Sequence, residues 1–360
     1  MRPSRLTAAL ALAALLPMPL LAQEPAPLPV PLAPGLVTEP GDYKYEAEPY
    51  GTYSIIALDP ETGELGVGVQ SNTIAVGART RWGKGGVAAI ASQASSNPMF
   101  GEMGVALLER GFTVEEARDM MIGMDDGALN RQFAIIDING NTAAWTSPDI
   151  TDWKGHHCGE NYCAQGNTLT GPDVVLDMAA AFETAEGPLA ARILTALEAA
   201  EAAGGDRRGT QSAGLLILEP RSVADYGDRA LDLRVDESMN PLAELRRIYN
   251  ANIAGQATSG LATLIQEGKY TEALAAVNEA LTIDPLRDAA YLQMADVYLA
   301  MNDVPAAVEA LGKAIELNPK AYYQILRDED FAPIHANADF LALGDFSRFA
   351  PLEPSAPEGI

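Results

Sequence analysis

From Thr52 onward, apolar positions gather in short runs, TYSIIALD, GELGVGVQS, GVAAIASQAS, QFAIIDI, TAAWTS, YCAQGNTL and SAGLLILEP, bounded by Gly, Pro, Asn and Asp. Runs of this length between turn-forming residues predict strands. Several are continuously apolar or built of small residues, the pattern of strands covered on both faces. Between them the spacing shifts to a helical repeat in FGEMGVALLERG, TVEEARDMMIGMD and the long stretch from Pro172 to Gly205. Strands come in hairpins and helices in pairs. That order predicts an α+β layered sandwich, two antiparallel sheets with helices outside, rather than a parallel βαβ fold.

Beyond about residue 250 the pattern is purely helical and repeats. GKYTEALAAVNEALTIDP closes on Pro285 and NDVPAAVEALGKAIELNP closes on Pro319; Gly268 answers Asn302, Tyr270 answers Val304, Ala273 answers Ala307 and Ala280 answers Ala314. A period of ~34 residues with small residues at helix crossings and a closing proline is the tetratricopeptide pattern. The segment ILRDEDFAPIHANADFLAL is similar to the degenerate terminal helix that follows such repeats. Two repeats alone bury little, so they are expected to dock on the first domain or on a protein or peptide partner.

The chain start changes the picture of where the protein works. MRPSRLTAALALAALLPMPLLAQEP carries two arginines, an apolar run and a small-residue site, predicting a secretory signal over residues 1–22. The alternative is a membrane anchor, but the run falls short of the ~20 residues needed to span and Pro17 and Pro19 interrupt it. Residues 23–49 are proline-rich and read as a linker. The expected domains are 50–249 for the sandwich, 250–346 for the helical repeats and 347–360 for a tail. Among the 360 residues a net charge of −25 argues against nucleic acid, which needs clustered cations. A periplasmic or secreted protein fits, with no membrane association after signal removal. Cys158 and Cys163 flank a Gly-Glu-Asn turn and, in an exported chain, predict a disulfide closing a hairpin. Zinc through His156 and His157 is the weaker alternative, because the paired spacings of structural zinc sites are missing.

Candidate chemistry begins at Gly51-Thr52. A threonine hydroxyl needs a base, and a chain-terminal threonine can use its own α-amine, whose ordinary pKa near 7.7–8.0 suits the role. The segments TYSIIALDPETGELGVGVQSNTIAVGA, GVAAIASQASSNPMFGEMGVALL, YCAQGNTLTGPDVVLDMAAAFE, GGDRRGTQSAGLLI and DLRVDESMNPLAELRRI together resemble the family called domain of unknown function 1028. Its members are similar in fold to N-terminal-nucleophile (Ntn) hydrolases. The resemblance covers roughly residues 50–249 and implies a four-layer αββα sandwich, followed here by an all-α tetratricopeptide-type domain. It implies no substrate. In many relatives the matching threonine follows the initiator Met; here it lies behind a signal and linker, so a cut at Gly51-Thr52 is required to expose it.

On that reading Thr52 is the nucleophile, and Ser71, Asn72 and Asn97 are expected near it, the last with the SQASSNP backbone as oxyanion donors. Arg81 or Lys84 would supply a nearby cation. Gln165, Asn167, Arg207, Arg208 and Gln211 are the substrate-binding candidates. Gln165 and Asn167 could instead cap the helix from Pro172, and Asp206, Arg207 and Arg208 could instead latch helix to strand. In the uncut chain, residues 47–51 would cross the cleft. No cofactor and no metal is expected; the substrate would be a small amide or peptide. The rival readings are a non-catalytic exported binding or scaffold protein acting through its repeats, and a hydrolase using Ser54, on the same strand face as Thr52. Oligomeric state is left open.

Overall fold

A computed structural model describes residues 51–221 and 228–344. The signal over 1–22, the linker over 23–49, the cleft-crossing stretch up to residue 50 and the tail over 347–360 lie outside the described residues.

Strands β1 (Thr52–Leu58) and β2 (Leu65–Ser71) form a hairpin; a single turn α1 (Gly77–Thr80) leads to β3 (Arg81–Lys84) and β4 (Ala88–Ala94). Helices α2 (Pro98–Glu109) and α3 (Val114–Gly123) precede β5 (Arg131–Asp137), β6 (Thr142–Thr146), β7 (Gly155–Gly159) and β8 (Tyr162–Asn167). Helices α4 (Asp173–Thr184) and α5 (Leu189–Ala202) follow, then β9 (Ser212–Leu218) and β10 (Arg229–Val235). Gly187-Pro188 splits the long helical stretch into α4 and α5, since proline cannot continue a helix it does not begin. Thr113 and Glu116 form a capping box that starts α3.

Among the described residues these strands build two antiparallel sheets, one in the order β10-β9-β2-β1-β8-β7 and one in the order β3-β4-β5-β6. The mixed α+β character expected from the pattern is therefore present. Strands β3 and β10 were not legible as apolar runs. The edge strand β10 carries Arg229, Asp232 and Arg234 on largely exposed positions, so nothing in its composition marks it as sheet.

The alternation of side chains along each strand divides the core. Tyr53, Ile55 and Ala57 of β1 pack against Val175 of α4 and Ile193 and Leu197 of α5. Ile56 and Leu58, from the opposite face, pack with Leu65, Val67, Ala89, Ala134, Cys163 and Leu216 between the sheets. Ile90, Phe133 and Ile135 pack with Phe100 of α2 and Ala117 of α3. Helix α5 comes close to the larger sheet because β2 offers Gly66 and Gly68: a Cβ at either would stand 2.4 Å from Ile193.

Helix α6 (Pro241–Ala257) crosses the expected boundary at 249/250. Its Leu242, Leu245 and Tyr249 belong to the core under α5, whereas Ala254 belongs to the core of the helical region. That region continues through α7 (Leu261–Gln266), α8 (Tyr270–Ile283), α9 (Asp288–Ala300), α10 (Val304–Leu317), α11 (Ala321–Ile325) and α12 (Ala338–Ala342). The 34-residue offset is visible in the helices themselves, because α8 and α10 start at Tyr270 and Val304. The repeated alanines 273, 280, 307 and 314 are all fully buried. No helix among the described residues is long and apolar enough to cross a membrane.

Candidate active site

The gap between the sheets is apolar at one end and polar at the other. On β1 the face bearing Ile56 and Leu58 continues back through Ser54 to Thr52. The same register places Gln93 two residues beyond Ala91 on β4, Gln132 two before Ala134 on β5, and Gln165 and Asn167 beyond Cys163 on β8. All are buried: Thr52 is 6% exposed and the other five no more than 1%. Burying so many amides is tolerable when they find partners, and among these all but Gln165 Oε1 do. Gln93 Nε2 donates to the Thr52 carbonyl at 3.2 Å and to Gln132 Oε1 at 2.8 Å, and Asn167 Nδ2 donates to the same Gln132 oxygen at 2.9 Å. Gln132 Nε2, with two hydrogens to give, lies within hydrogen-bonding distance of three acceptors, Thr146 Oγ1 at 2.9 Å and the carbonyls of Gly155 and Gly166 at 3.0 and 2.8 Å. Ser54 Oγ donates to Gln93 Oε1 at 2.6 Å and accepts from Gln165 Nε2 at 3.2 Å.

At the open end of this network lies the Gly51-Thr52 peptide. The Gly51 carbonyl oxygen accepts from Ser71 Oγ at 2.5 Å, from Arg208 Nη2 at 2.7 Å and from Thr52 Oγ1 at 2.5 Å, while Thr52 Oγ1 and Ser71 Oγ are 3.1 Å apart. Arg208 is aimed by Asp206, whose carboxylate accepts from Nε at 3.0 Å and Nη2 at 2.7 Å. The Asp206 side chain is fully buried and also accepts the Asn72 backbone N–H at 3.2 Å. Asn72 Nδ2 in turn donates to the Arg208 carbonyl. Ala94 and Thr168, which follow Gln93 and Asn167 directly, both have positive φ, 61° and 58°. Such backbone is costly for a residue with a Cβ and gathers at ligand and catalytic sites. A cavity of about 310 Å³ opens beside Thr52 and Ser71, lined also by Thr73, Arg79, Thr80, Gln93 and Ser95.

The structure thus brings together Thr52, Ser71, Asn72 and Arg208 at the mouth, with Gln165 and Asn167 beneath. The last two do not cap α4, whose N-cap is Pro172 without a side-chain bond, because their strand register points them into the gap. Other expected residues lie elsewhere. Asn97 is not an oxyanion donor to this peptide: its Oδ1 caps α2 through Met99 N at 3.1 Å and its Nδ2 donates to Asp125 at 3.3 Å. Arg207 turns outward to the Asp152 carbonyl at 2.7 Å. Gln211 contributes backbone, donating its N–H to the Ser71 carbonyl at 3.1 Å. Arg81 pairs with Asp232 at 2.8 Å and Lys84 with Glu109 at 2.5 Å, so neither cation reaches Thr52. Burial lowers the Arg81 pKa, and Asp232 opposes that shift. Ser54 is sealed within the amide network, its hydroxyl already engaged on both sides.

Gln93, Gln132 and Arg79 were missed in the sequence. The signal for the two glutamines was present: each is a lone amide at an inward register of an otherwise apolar strand. Arg79 follows no such rule, since a one-turn helix carries it to the cavity. Cys158 and Cys163 sit opposite each other on β7 and β8 and form a disulfide. His156 Nδ1 lies 2.9 Å from Thr146 Oγ1.

A mixed α+β domain of paired antiparallel sheets, with a buried amide network at the head of a central strand and a helical repeat region behind it, is the class of protein these features define. Residues 52–245 match the model of a family of unknown function, DUF1028, and the chain belongs to that family. Residues 264–328 match the tetratricopeptide repeat. A solved structure of a DUF1028 protein from Silicibacter pomeroyi is 34% identical, with a TM-score of 0.51 over 55% of this chain and 84% of that one. The ancestral beta-subunit Anbu from Yersinia bercovieri is 13% identical, with a TM-score of 0.27 over 57% of this chain and 95% of that one. No curated protein matches.

Proposed function

We propose that this is an exported, self-processing hydrolase of the Ntn type, with the αββα layering of that class, in which Thr52 is first the agent of its own release and then the nucleophile for a small amide or peptide. One observation carries the reading: the carbonyl oxygen of Gly51 accepts hydrogen bonds from Ser71 and Arg208 while the Thr52 hydroxyl touches the same peptide. Donors converging on a carbonyl oxygen are what a developing oxyanion requires. In the uncut chain the Thr52 Oγ1 adds to the Gly51 carbonyl carbon, the Gly51-Thr52 C–N bond breaks, and the hydroxyl proton passes to the departing nitrogen. Water hydrolyses the resulting ester, leaving a Gly51 carboxylate and a Thr52 with free amine and hydroxyl. That amine then serves as base in each later turnover. The repeats hold a protein or peptide partner, and the disulfide agrees with an oxidising compartment outside the cytosol.

Intact mass of the purified protein tests this directly. A fragment beginning at Thr52, absent from Thr52→Ala, is the expected result. A wild-type chain that begins near Gln23 and stays whole after prolonged incubation overturns it, and leaves the repeats as the working part of a binding protein.

A further inference from the structure

We propose that this site refuses acyl groups that carry a Cβ in the L configuration, so that it takes glycyl amides and excludes L-alanyl and larger L-aminoacyl amides; this rests on Thr52 being the nucleophile. The acyl group that Thr52 meets in the uncut chain is that of Gly51, and the walls around it are specific about size. A Cβ on Gly51 would stand 2.7 Å from Arg208 Nε, 2.7 Å from Asp206 Oδ2 and 2.8 Å from Arg208 Nη2. Ordinary contact begins near 3.4 Å. An arginine tip is often free to yield, but this one is not. Asp206 grips both Nε and Nη2, and its own carboxylate is fully buried and held by the Asn72 N–H. Moving the guanidinium aside would strip the Gly51 carbonyl of one of its donors and leave a buried carboxylate without its cation.

Release of Thr52 changes none of these groups. Ser71 and Arg208, having held the Gly51 carbonyl, present the same donors to an incoming acyl oxygen, and an oxygen seated there puts the substrate Cα against the same Asp206–Arg208 wall. Glycyl, with two hydrogens on Cα, fits; L-alanyl meets the wall with its methyl. Specificity is set on the acyl side by a shared salt bridge, and the same bridge makes glycine the residue that can precede Thr52.

Two esters test this without knowledge of the natural leaving group: the p-nitrophenyl esters of N-acetylglycine and of N-acetyl-L-alanine, given to the matured protein. Thr52 Oγ1 adds to the ester carbonyl, the Thr52 amine takes its proton, and the C–O bond breaks to release p-nitrophenolate. Water then frees the acyl group as a carboxylate. Acylation is read at Thr52 by peptide mass and release by absorbance. The glycyl ester is expected to react faster by about 30-fold or more, the effect of forcing one extra carbon into a filled site. Equal rates, or no acylation of Thr52 by either ester in a chain that does begin at Thr52, overturn the inference while leaving self-cleavage intact. A chain that never exposes Thr52 instead removes the reading beneath it. As an independent arm, Gly51→Ala in the full chain, checked for native circular dichroism, is expected to slow self-cleavage by a similar factor; an unchanged rate overturns the wall.

Discussion

A single buried amide decides how well the polar end of the sheet gap holds together. Gln132 takes donors from Gln93 and Asn167 on its oxygen and aims its own nitrogen at Thr146 and two carbonyls, so it ties β4, β5, β6, β7 and β8 at one point. Gln132→Leu fills the same space but leaves Gln93 and Asn167 with buried donors facing a methyl group. Unsatisfied buried donors cost about 1–3 kcal/mol each. We expect Gln132→Leu to lose about 3 kcal/mol of stability by urea denaturation and to slow exposure of Thr52, because Gln93 also holds the Thr52 carbonyl. Unchanged stability would show the network to be dispensable.

At the scale of elements, the helical repeat depends on alanines where helices cross. Ala273 of α8 and Ala307 of α10 are fully buried. Either changed to Glu forces an unpaired carboxylate into that contact, at a cost of about 3 kcal/mol or more. The expected outcome is loss of helical circular dichroism from the repeats with the disulfide-bearing sheet domain retained. Helix α9 carries a second handle, Asp296, whose carboxyl is pushed up to about 7, first by burial and then by Asp330 and Asp328. A carboxyl with a raised folded-state pKa binds its proton more tightly folded than unfolded, so its contribution is fully present below the ordinary value near 4 and is lost as pH rises toward 7. Asp296→Asn is therefore expected to melt higher than wild type at pH 8 and together with it at pH 4, by calorimetry. The opposite order would show that Asp296 is paired in solution.

For the molecule as a whole, α6 is the joint. It packs on β9, β10 and α5 through Leu242, Leu245 and Tyr249, and on α8 through its last turns. Leu245 is fully buried. Leu245→Ala is expected to cost about 2–5 kcal/mol and to lower the unfolding midpoints of sheet domain and repeats together, since one continuous helix carries both contacts. Midpoints that separate, with the repeats unmoved, would show that α6 transmits nothing.

The two kinds of structure were unequally legible along the chain. Hairpin runs, helix pairs, the 34-residue repeat and the Cys158–Cys163 pair could be read directly because each is a local pattern: periodicity, small residues at fixed spacing, two thiols across a turn. Thr52, Ser71 and Asn72 could be named as candidates only through the family resemblance, and Arg208 because it stands in the dense polar cluster GGDRRGTQSAG. What no local pattern could say is which of the polar residues meet. Asn97 and Arg81 carry the right chemistry at the right distance along the chain, yet a helix cap takes one and Asp232 takes the other. Gln93 and Gln132 read as interruptions of apolar strands until the sheets face each other. Convergence on the Gly51 carbonyl joins residues 51, 71 and 208 because β1, β2 and the loop entering β9 lie side by side in one sheet, and the second sheet stacked on it brings Gln93 to the Thr52 carbonyl; both meetings depend on strand order and packing rather than on spacing in the chain.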